Sequence, residues 1–404
     1  MKKIELHWQI LIALILAVLF GIFFKGYVGY VSWMGEIFLR ALKMIIIPLI
    51  ISSIISGITN IGNADNIGRL GIKTIIYYLT TSVFAIFTGL VLVNIFKPGI
   101  GADLNLKQQV DLGMESDTLA TTLIKIIPDN IFNAMSSNGQ MLSVIFFAML
   151  FGFFITRVKT DYQEMLTGFF NAVFEVMMKL TLFIIKFTPF GIFGLVAEKV
   201  AQQNDLSGLM QSMGLYMLVV ITGLAIHSII TLPLLVKLVG KTKPMKHFRC
   251  MQTPLLTAFS TSSSSATLPL TIQAVENNSG VSNKICSFTL PLGATINMDG
   301  TALYECVAVI FIAQAYGVEL SFVQQVIVVI TALLASIGAA GIPMAGLVMI
   351  TIVLSAVGLP LEGVGLILAV DRILDMFRTT VNVWSDTCGA VIIAKIEGEM
   401  LKTD

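Results

Sequence analysis

The chain has 404 residues, of which 56% are hydrophobic and only 12% charged, with a formal net charge of +1 and a mean hydropathy of +0.89. Soluble domains carry about 25% charged residues, so this chain lacks the charge to clothe two or three soluble domains in polar shells. A balance of +1 provides no field to hold nucleic acid, and the four cysteines, Cys250, Cys286, Cys306 and Cys388, fit neither a disulfide framework nor a paired metal site.

Spanning helices take about 20 residues, and apolar stretches of that length recur from end to end. The first, Trp8 to Phe24, follows two lysines and no cleavage pattern, so it reads as an uncleaved first helix. The second runs from Phe38 to Ile58 and the third from Ile72 to Phe96. A polar stretch, Lys97 to Asp129, separates these from a fourth segment, Ile131 to Ile155, a fifth, Met165 to Ala197, and a sixth, Leu209 to Val239. Basic residues follow every second segment: Lys2 and Lys3, Arg69 and Lys73, Arg157 and Lys159, then Lys241, Lys243, Lys246 and Arg249. Excess Lys and Arg marks cytoplasmic loops, so all four groups, and the N-terminus, are expected in the cytoplasm. The acidic stretch from Ala102 to Ala120 suits the outside.

The last third is different, because polar and small residues break its apolar stretches. Ser260 to Ser265 is followed by Ala266-Thr-Leu-Pro269, Asn297-Met-Asp-Gly-Thr301 interrupts a helix-length run, and Ala335-Ser-Ile-Gly-Ala-Ala-Gly-Ile-Pro343 precedes Gly346. In hydrocarbon, irregular backbone survives only where protein buries it or where it lines a cavity. Two helical halves joined by a small-residue tip make a re-entrant hairpin. Half-helix N-termini can then face an anion and unwound carbonyls can hold a cation.

The final segment, Leu361 to Ile396, carries Asp371, Asp375, Arg378, Thr379, Asn382 and Asp386. At about 100° per residue these share one stripe, with Thr379 at its edge, while Arg372 falls about 100° away and is left out of the site. One ionised group at a membrane centre costs roughly 2.5–3.5 kcal/mol, so four on one face need partners. Asp299, Asp371, Asp375 and Asp386 against Arg378 leave four negative charges facing one positive, a formal −3. A static network would not leave that imbalance in a low dielectric. It calls for bound cations, protons or a cationic ligand group. Asp, Asn and carbonyl oxygens are hard ligands that suit an alkali or alkaline-earth ion.

At these residues the chain resembles the dicarboxylate/amino acid:cation symporter family, which includes the glutamate/aspartate transporters and the excitatory amino acid transporters. The matching pieces are Thr261 to Pro269, Gly293 to Tyr304, Ala335 to Pro343, and Asp371 to Asn382 with Asp386. The resemblance implies an all-α polytopic membrane protein with eight transmembrane helices, two re-entrant helical hairpins and an elevator-type transporter fold, assembled as a homotrimer in the plasma (inner) membrane with both termini cytoplasmic. By the same likeness, residues 1–68 and 128–205 form a scaffold, residues 69–97 and 206–404 a moving transport domain, and residues 98–127 an extracellular loop.

The resemblance also implies roles. Arg378 selects a substrate side-chain carboxylate through its bidentate fork, Asp375 accepts the α-amino group, and Asp371 holds Arg378. Asn382, Ser264 and the backbone near Ser262 meet the α-carboxylate, and Thr301, Thr379, Ile342 and Gly346 line the pocket. Three sodium sites are implied. The first joins Asp386 to carbonyls of Gly293, Asn297 and Asn382. The second uses carbonyls of Thr295, Ser336, Ile337 and Ala339, and the third uses Asp299, Asn297, Tyr78, Thr81 and Ser82.

Glu305 stands where several prokaryotic members carry Gln and where the animal transporters use Glu for a co-transported proton, so it is the candidate proton carrier. Ser262 and Met376 occupy positions where different members place an arginine, and their identity here leaves potassium counter-transport undetermined. Trp384-Ser385 replaces a smaller pair before Asp386. The expected activity is sodium-coupled transport of aspartate or glutamate by a protein that is not an enzyme. The alternatives are a symporter of neutral amino acids or C4-dicarboxylates, a primary anion channel, and an intramembrane serine hydrolase built on the serine run and His227. The last lacks any G-x-S-x-G motif.

Overall fold

The structure is a computed structural model that describes residues 6–62, 68–102, 124, 126–136, 141–202, 206–338 and 345–404. Its elements are helical, with no strand among the described residues. Among the described residues, five helices are long and apolar enough to cross a membrane: Ser32–Thr59, Leu70–Phe96, Thr160–Ile185, Ser207–Leu238 and Asn283–Ala315. Trp8–Phe23, Ser143–Ile155, Thr188–Glu198, Phe322–Ile337 and Gly346–Ala356 are shorter apolar helices. A chain of this kind is a multi-pass membrane protein. The expected outside stretch lies beyond the described residues after Ala102, as do Lys2 and Lys3.

Within Ile131 to Ile155 the described helices are Ile131–Ser136 and Met141–Ile155, with residues 137–140 outside the described residues. One expected segment is divided. The fifth segment is not one helix but two, Thr160–Ile185 and Thr188–Gln202, broken at Lys186 and Phe187. Pro189 explains the restart, because proline fits the first turn of a helix and not its interior. The sixth segment does run through, but by way of a π-helical turn, His227–Thr231, between Leu206–Ile226 and Leu232–Leu238. Pro233 begins the third piece and has no N–H to give to the preceding turn. The π turn accommodates that loss and, as such turns do at functional sites, points His227 inward with no exposed surface.

The three breaks expected in the last third are present where the structure describes them. The first hairpin is Gln252–Thr261 and Ser264–Ala274, turning at Ser262, whose φ of 51° is left-handed. The broken helix is Asn283–Ile296 and Asp299–Ala315, with Asn297 and Met298 both outside helical geometry. Both are buried, so the freed backbone meets protein and not lipid. The second hairpin is Phe322–Gly338 and Ala345–Ala356, with its tip, residues 339–344, outside the described residues. The last helix is Val364–Ile396.

Packing falls into two groups. Leu6–Phe23 lies on Thr188–Gln202, and Ser32–Gly62 lies on Met141–Ile155, Thr160–Ile185 and Thr188–Gln202. In the other group, Gly68–Phe96 and Leu206–Ile226 pack on Asp299–Ala315, and the last helix touches both halves of the broken helix and both hairpins. Asp299–Ala315 is the axis of this second group, since every residue but Gln314 is buried. Thr160–Ile185, by contrast, turns Met165, Phe169, Val176 and Phe183 outward.

Within the first group, Ser32–Gly62 and Thr188–Gln202 cross backbone to backbone. A Cβ on Gly194 would stand 2.6 Å from the Gly35 amide nitrogen, whereas one on Gly214 would meet nothing within 4 Å. Alanine at either site adds similar helix propensity, so the pair isolates the crossing. Overpacking typically costs about 1–3 kcal/mol. Gly194→Ala is expected to lower the thermal midpoint in detergent by several degrees, and Gly214→Ala to leave it unchanged or raise it.

Candidate functional site

The stripe on the last helix is buried against Asp299–Ala315, and Arg378 is its centre. With 1% of its side chain exposed, it is among the largest fully buried side chains of the protein. Its Nη1 lies 3.0 Å from Asp371 Oδ1 and its Nη2 donates to Asp375 Oδ1 at 2.8 Å. The guanidinium also lies 3.8 Å from the ring centroid of Tyr304, a cation–π contact that desolvation strengthens. The Tyr304 hydroxyl donates to Asp371 Oδ1 at 2.5 Å, which fixes the carboxylate that fixes the arginine. Arg378 Nε and Nη1 have no acceptor with hydrogen-bond geometry among the described residues. Gly346, from the second hairpin, is so close that a Cβ would stand 2.8 Å from Nη1. Its lack of a side chain lets the hairpin close over the guanidinium.

Two features differ from the sequence reading. Arg372 is not outside the site: its Nη1 lies 3.8 Å from Asp375 Oδ2, one turn back along the helix. The long side chain crosses the angle that the wheel projection put between them. Asp375, expected as an amine acceptor, is engaged with Arg378 here, so an incoming amine would compete with that contact. With Arg372 counted, Asp299, Asp371, Asp375 and Asp386 against two arginines leave a formal −2.

One turn further along, Asn382 ties the stripe to the broken helix. Its Oδ1 accepts from the Gly300 amide at 2.8 Å, and its Nδ2 donates to Thr301 Oγ1 at 3.1 Å. Thr379 is buried beside Arg378. Ser262 and Ser264 are buried at the first hairpin's tip, which packs on this helix, but no hydrogen bond joins them to Arg378 or Asn382 among the described residues. The Ser262 hydroxyl has no partner among those residues. Ile342 lies outside the described residues.

The carboxylates of Asp299 and Asp386 form a second cluster below the first. Asn297 Nδ2 donates to Asp386 Oδ1 at 2.9 Å and to Ser385 Oγ at 3.0 Å. Gly293 faces the same carboxylate, because a Cβ there would fall 2.4 Å from Asp386 Oδ1 and 2.7 Å from the Tyr78 hydroxyl. Asp299 Oδ1 accepts from Ser82 Oγ at 2.7 Å and has Thr81 Oγ1 at 3.3 Å. Its Oδ2 accepts from Ser385 Oγ at 2.7 Å and has His227 Nε2 at 3.0 Å. Tyr78 does not reach Asp299; its hydroxyl donates to the Thr289 carbonyl at 2.7 Å and joins the cluster through Gly293. The residues expected around the first and third ion sites are therefore in one buried cluster of hard oxygen donors, the kind that hold alkali ions. Those expected at the second are less closed: Thr295 is exposed, Ser336 is buried and bonded to Leu333, Ile337 is half-buried, and Ala339 lies outside the described residues.

His227, Ser385 and Tyr304 were not assigned from sequence. His227 had a signal, since an ionisable residue inside a long apolar segment marks a functional site by default. It contacts Asp299, remote in role from the hairpin serines that a hydrolase would require. Ser385 carries hydrogen bonds to both Asp299 and Asn297. Its neighbour Trp384 points the other way, donating to the Ser228 carbonyl at 3.1 Å and stacking on His247. The Trp384-Ser385 pair thus divides its work between the two faces of the helix. Glu305 is fully buried one residue beyond Tyr304, and neither carboxyl oxygen has a partner among the described residues. Buried polar atoms without partners are costly.

Comparison with known proteins agrees with this geometry. The model of the sodium:dicarboxylate symporter family matches residues 6–396. The chain is 38% identical to the excitatory amino acid transporter 3 of Mus musculus, over 98% of this chain and 87% of that one. It is 35% identical to the proton/glutamate-aspartate symporter of Escherichia coli (strain K12), over 98% of this chain and 93% of the other. With the proton/sodium-glutamate symport protein of Geobacillus stearothermophilus it shares 36% identity, over 99% and 96%. A match spanning nearly every described helix, with the buried stripe and both hairpins inside it, shows that the chain belongs to the sodium:dicarboxylate symporter family.

Proposed function

We propose that the protein is a sodium-coupled secondary active symporter of acidic amino acids, aspartate or glutamate. The observation that carries this reading is Arg378: a buried guanidinium held by Asp371, Asp375 and Tyr304, whose Nε has no acceptor and whose Nη1, 3.0 Å from Asp371 Oδ1, makes no contact of hydrogen-bond geometry among the described residues. A planar fork of this kind suits a substrate carboxylate bidentately. Asp375 is the acceptor for the α-amino group, which argues against a dicarboxylate lacking an amine. Asn382, Ser262, Ser264, Thr301, Thr379, Ile342 and Gly346 complete the pocket.

Charge accounts for the coupling. The site's formal −2 becomes −3 when an acidic amino acid, itself −1, enters. Three sodium ions, at Asp386, at the second hairpin and at Asp299, would balance that count. The names of the relatives from Geobacillus stearothermophilus and Escherichia coli include proton coupling, which supports a co-transported proton, and Glu305, buried without a partner among the described residues, is its proposed carrier. Residues 1–68 and 128–205 act as a scaffold and residues 69–97 and 206–404 as the transport domain of an elevator. The outward apolar face of Thr160–Ile185 is available for trimer contacts. The basic loops support cytoplasmic termini, and the family likeness supports the plasma membrane.

Radiolabelled uptake into proteoliposomes tests this function, with accumulation against a gradient only when sodium is inwardly directed; a channel could not accumulate substrate. Losing one partner of a desolvated charge pair costs about 2–5 kcal/mol, so Arg378→Cys is expected to lower aspartate affinity about 30-fold or more and to gain neutral amino acid uptake. Retained aspartate affinity in that variant would remove the selector assignment. Glu305→Gln is expected to flatten the dependence of uptake on pH, and an unchanged profile would remove proton coupling through this residue.

A further inference from the structure

A second cavity lies on the opposite face of the last helix, away from Arg378. It has a volume of about 520 Å³ and an apolar, aromatic wall that includes Leu224, Phe248, Phe259, Phe377 and Trp384. It is an open cleft bordered by the sixth helix, the short helix Pro244–Cys250, the first half of the first hairpin and the last helix. That volume is within the range of about 300–1,000 Å³ that takes a single ligand molecule. Beside it is a basic cavity of about 400 Å³ walled by Lys237, Lys243, Lys246 and Arg249. Pro244 and Met245 line both, so the two are adjacent. Among the described residues, no acidic side chain lines either one.

The cations are unequally engaged. Lys243 and Lys246 donate to the Asp404 main-chain oxygen at 3.1 and 2.8 Å, and the Asp404 carboxylate is taken by Lys395. Lys237 and Arg249 are exposed and make no ion pair or hydrogen bond among the described residues. The flanking apolar surface is open as well: Ile229 is 72% exposed and Met245 63%. Apolar surface of this kind on a membrane protein is bilayer-facing, and Lys and Arg at the end of a spanning helix reach the headgroup layer.

We propose that this paired cavity is a binding site for one anionic phospholipid, with an acyl chain against Trp384 and Phe248 and the phosphate between Lys237 and Arg249. Charge complementarity selects this occupant: a zwitterionic lipid brings its own cation to a pocket that already holds four, and a free phosphate leaves the aromatic cavity unfilled. Lys243, Lys246 and Arg249 belong to the basic stretch expected in the cytoplasm, and Lys237 is in the last turn of the helix that leads into it, where anionic headgroups attract basic segments. The first hairpin and the last helix both wall the cavity, so an occupant would touch two elements that also carry substrate-site residues. The proposal requires only that the protein lie in a bilayer, and it stands or falls separately from the transported substrate.

Native mass spectrometry of the purified protein in non-ionic detergent, titrated with equimolar phosphatidylglycerol and phosphatidylcholine, provides the test. Wild type is expected to retain phosphatidylglycerol about fivefold or more over phosphatidylcholine, as surface cations near anionic lipid would give. The double variant Lys237→Gln/Arg249→Gln, at exposed positions that the fold does not use, is expected to bring the two lipids to near parity. Lys159→Gln/Lys186→Gln is expected to leave the preference intact. In a Trp8→Phe/Trp33→Phe background, acyl-brominated phosphatidylglycerol is expected to quench Trp384 more than brominated phosphatidylcholine does. Equal retention of the two lipids by wild type, a preference unchanged in the Lys237/Arg249 variant, or an unquenched Trp384 would overturn the proposal. Full displacement of the lipid by millimolar inorganic phosphate would overturn it in favour of a free-anion site.

Discussion

Arg378 cannot be solvated where it lies. It sits inside a membrane protein, between Asp371 and Asp375 and against the face of Tyr304. Each of these contacts is needed to keep a charge out of water, because the desolvation of an ion costs several kcal/mol that only well-placed partners offset. The partners exceed the need, however. Two carboxylates face one guanidinium, Arg372 adds a distant contact to one of them, and Asp299 and Asp386 lie further along with no lysine or arginine paired to them among the described residues. The excess is what makes the site responsive. An interior that holds surplus negative charge is stabilised by whatever cation or proton it can admit.

The backbone transmits that condition from one cluster to the other. Asn297 is out of helical geometry at the break and uses its side chain on Asp386 and Ser385. Three residues later Gly300 gives its amide to Asn382, which stands one turn from Arg378. A cation at Asp386 or Asp299 and a substrate at Arg378 would therefore both be felt by the same few residues of the broken helix and the last helix. Reciprocal coupling between two ligands needs shared elements of this kind. The second hairpin adds a further link, because Gly346 closes on the guanidinium itself.

Much of this was legible in the sequence, for physical reasons that can be named. A carboxylate or arginine inside an apolar run is so costly that Asp371, Asp375, Arg378 and Asp386 declare themselves, and the helical period puts them on one face. The Asn297 and Ser262 breaks were readable because irregular backbone in a membrane must be buried. What the pattern hides is reach and partnership. Arg372 lies off the stripe by angle but returns to Asp375 by length. His227 lies 72 residues from Asp299 in the chain, and only the tertiary fold joins them. The π turn that directs His227 inward and the division of the fifth segment near Pro189 are local backbone events that apolar periodicity does not record.

If surplus buried carboxylate charge couples cations to an acidic substrate, aspartate affinity depends on sodium. Isothermal titration of purified protein with aspartate, at a series of sodium concentrations and constant ionic strength, tests it most directly. Linkage makes affinity rise with every ion taken up alongside the substrate. The account predicts an aspartate Kd that falls by more than about tenfold for each tenfold rise in sodium, since more than one ion enters with the substrate. An aspartate affinity that is the same in sodium and in choline would contradict it.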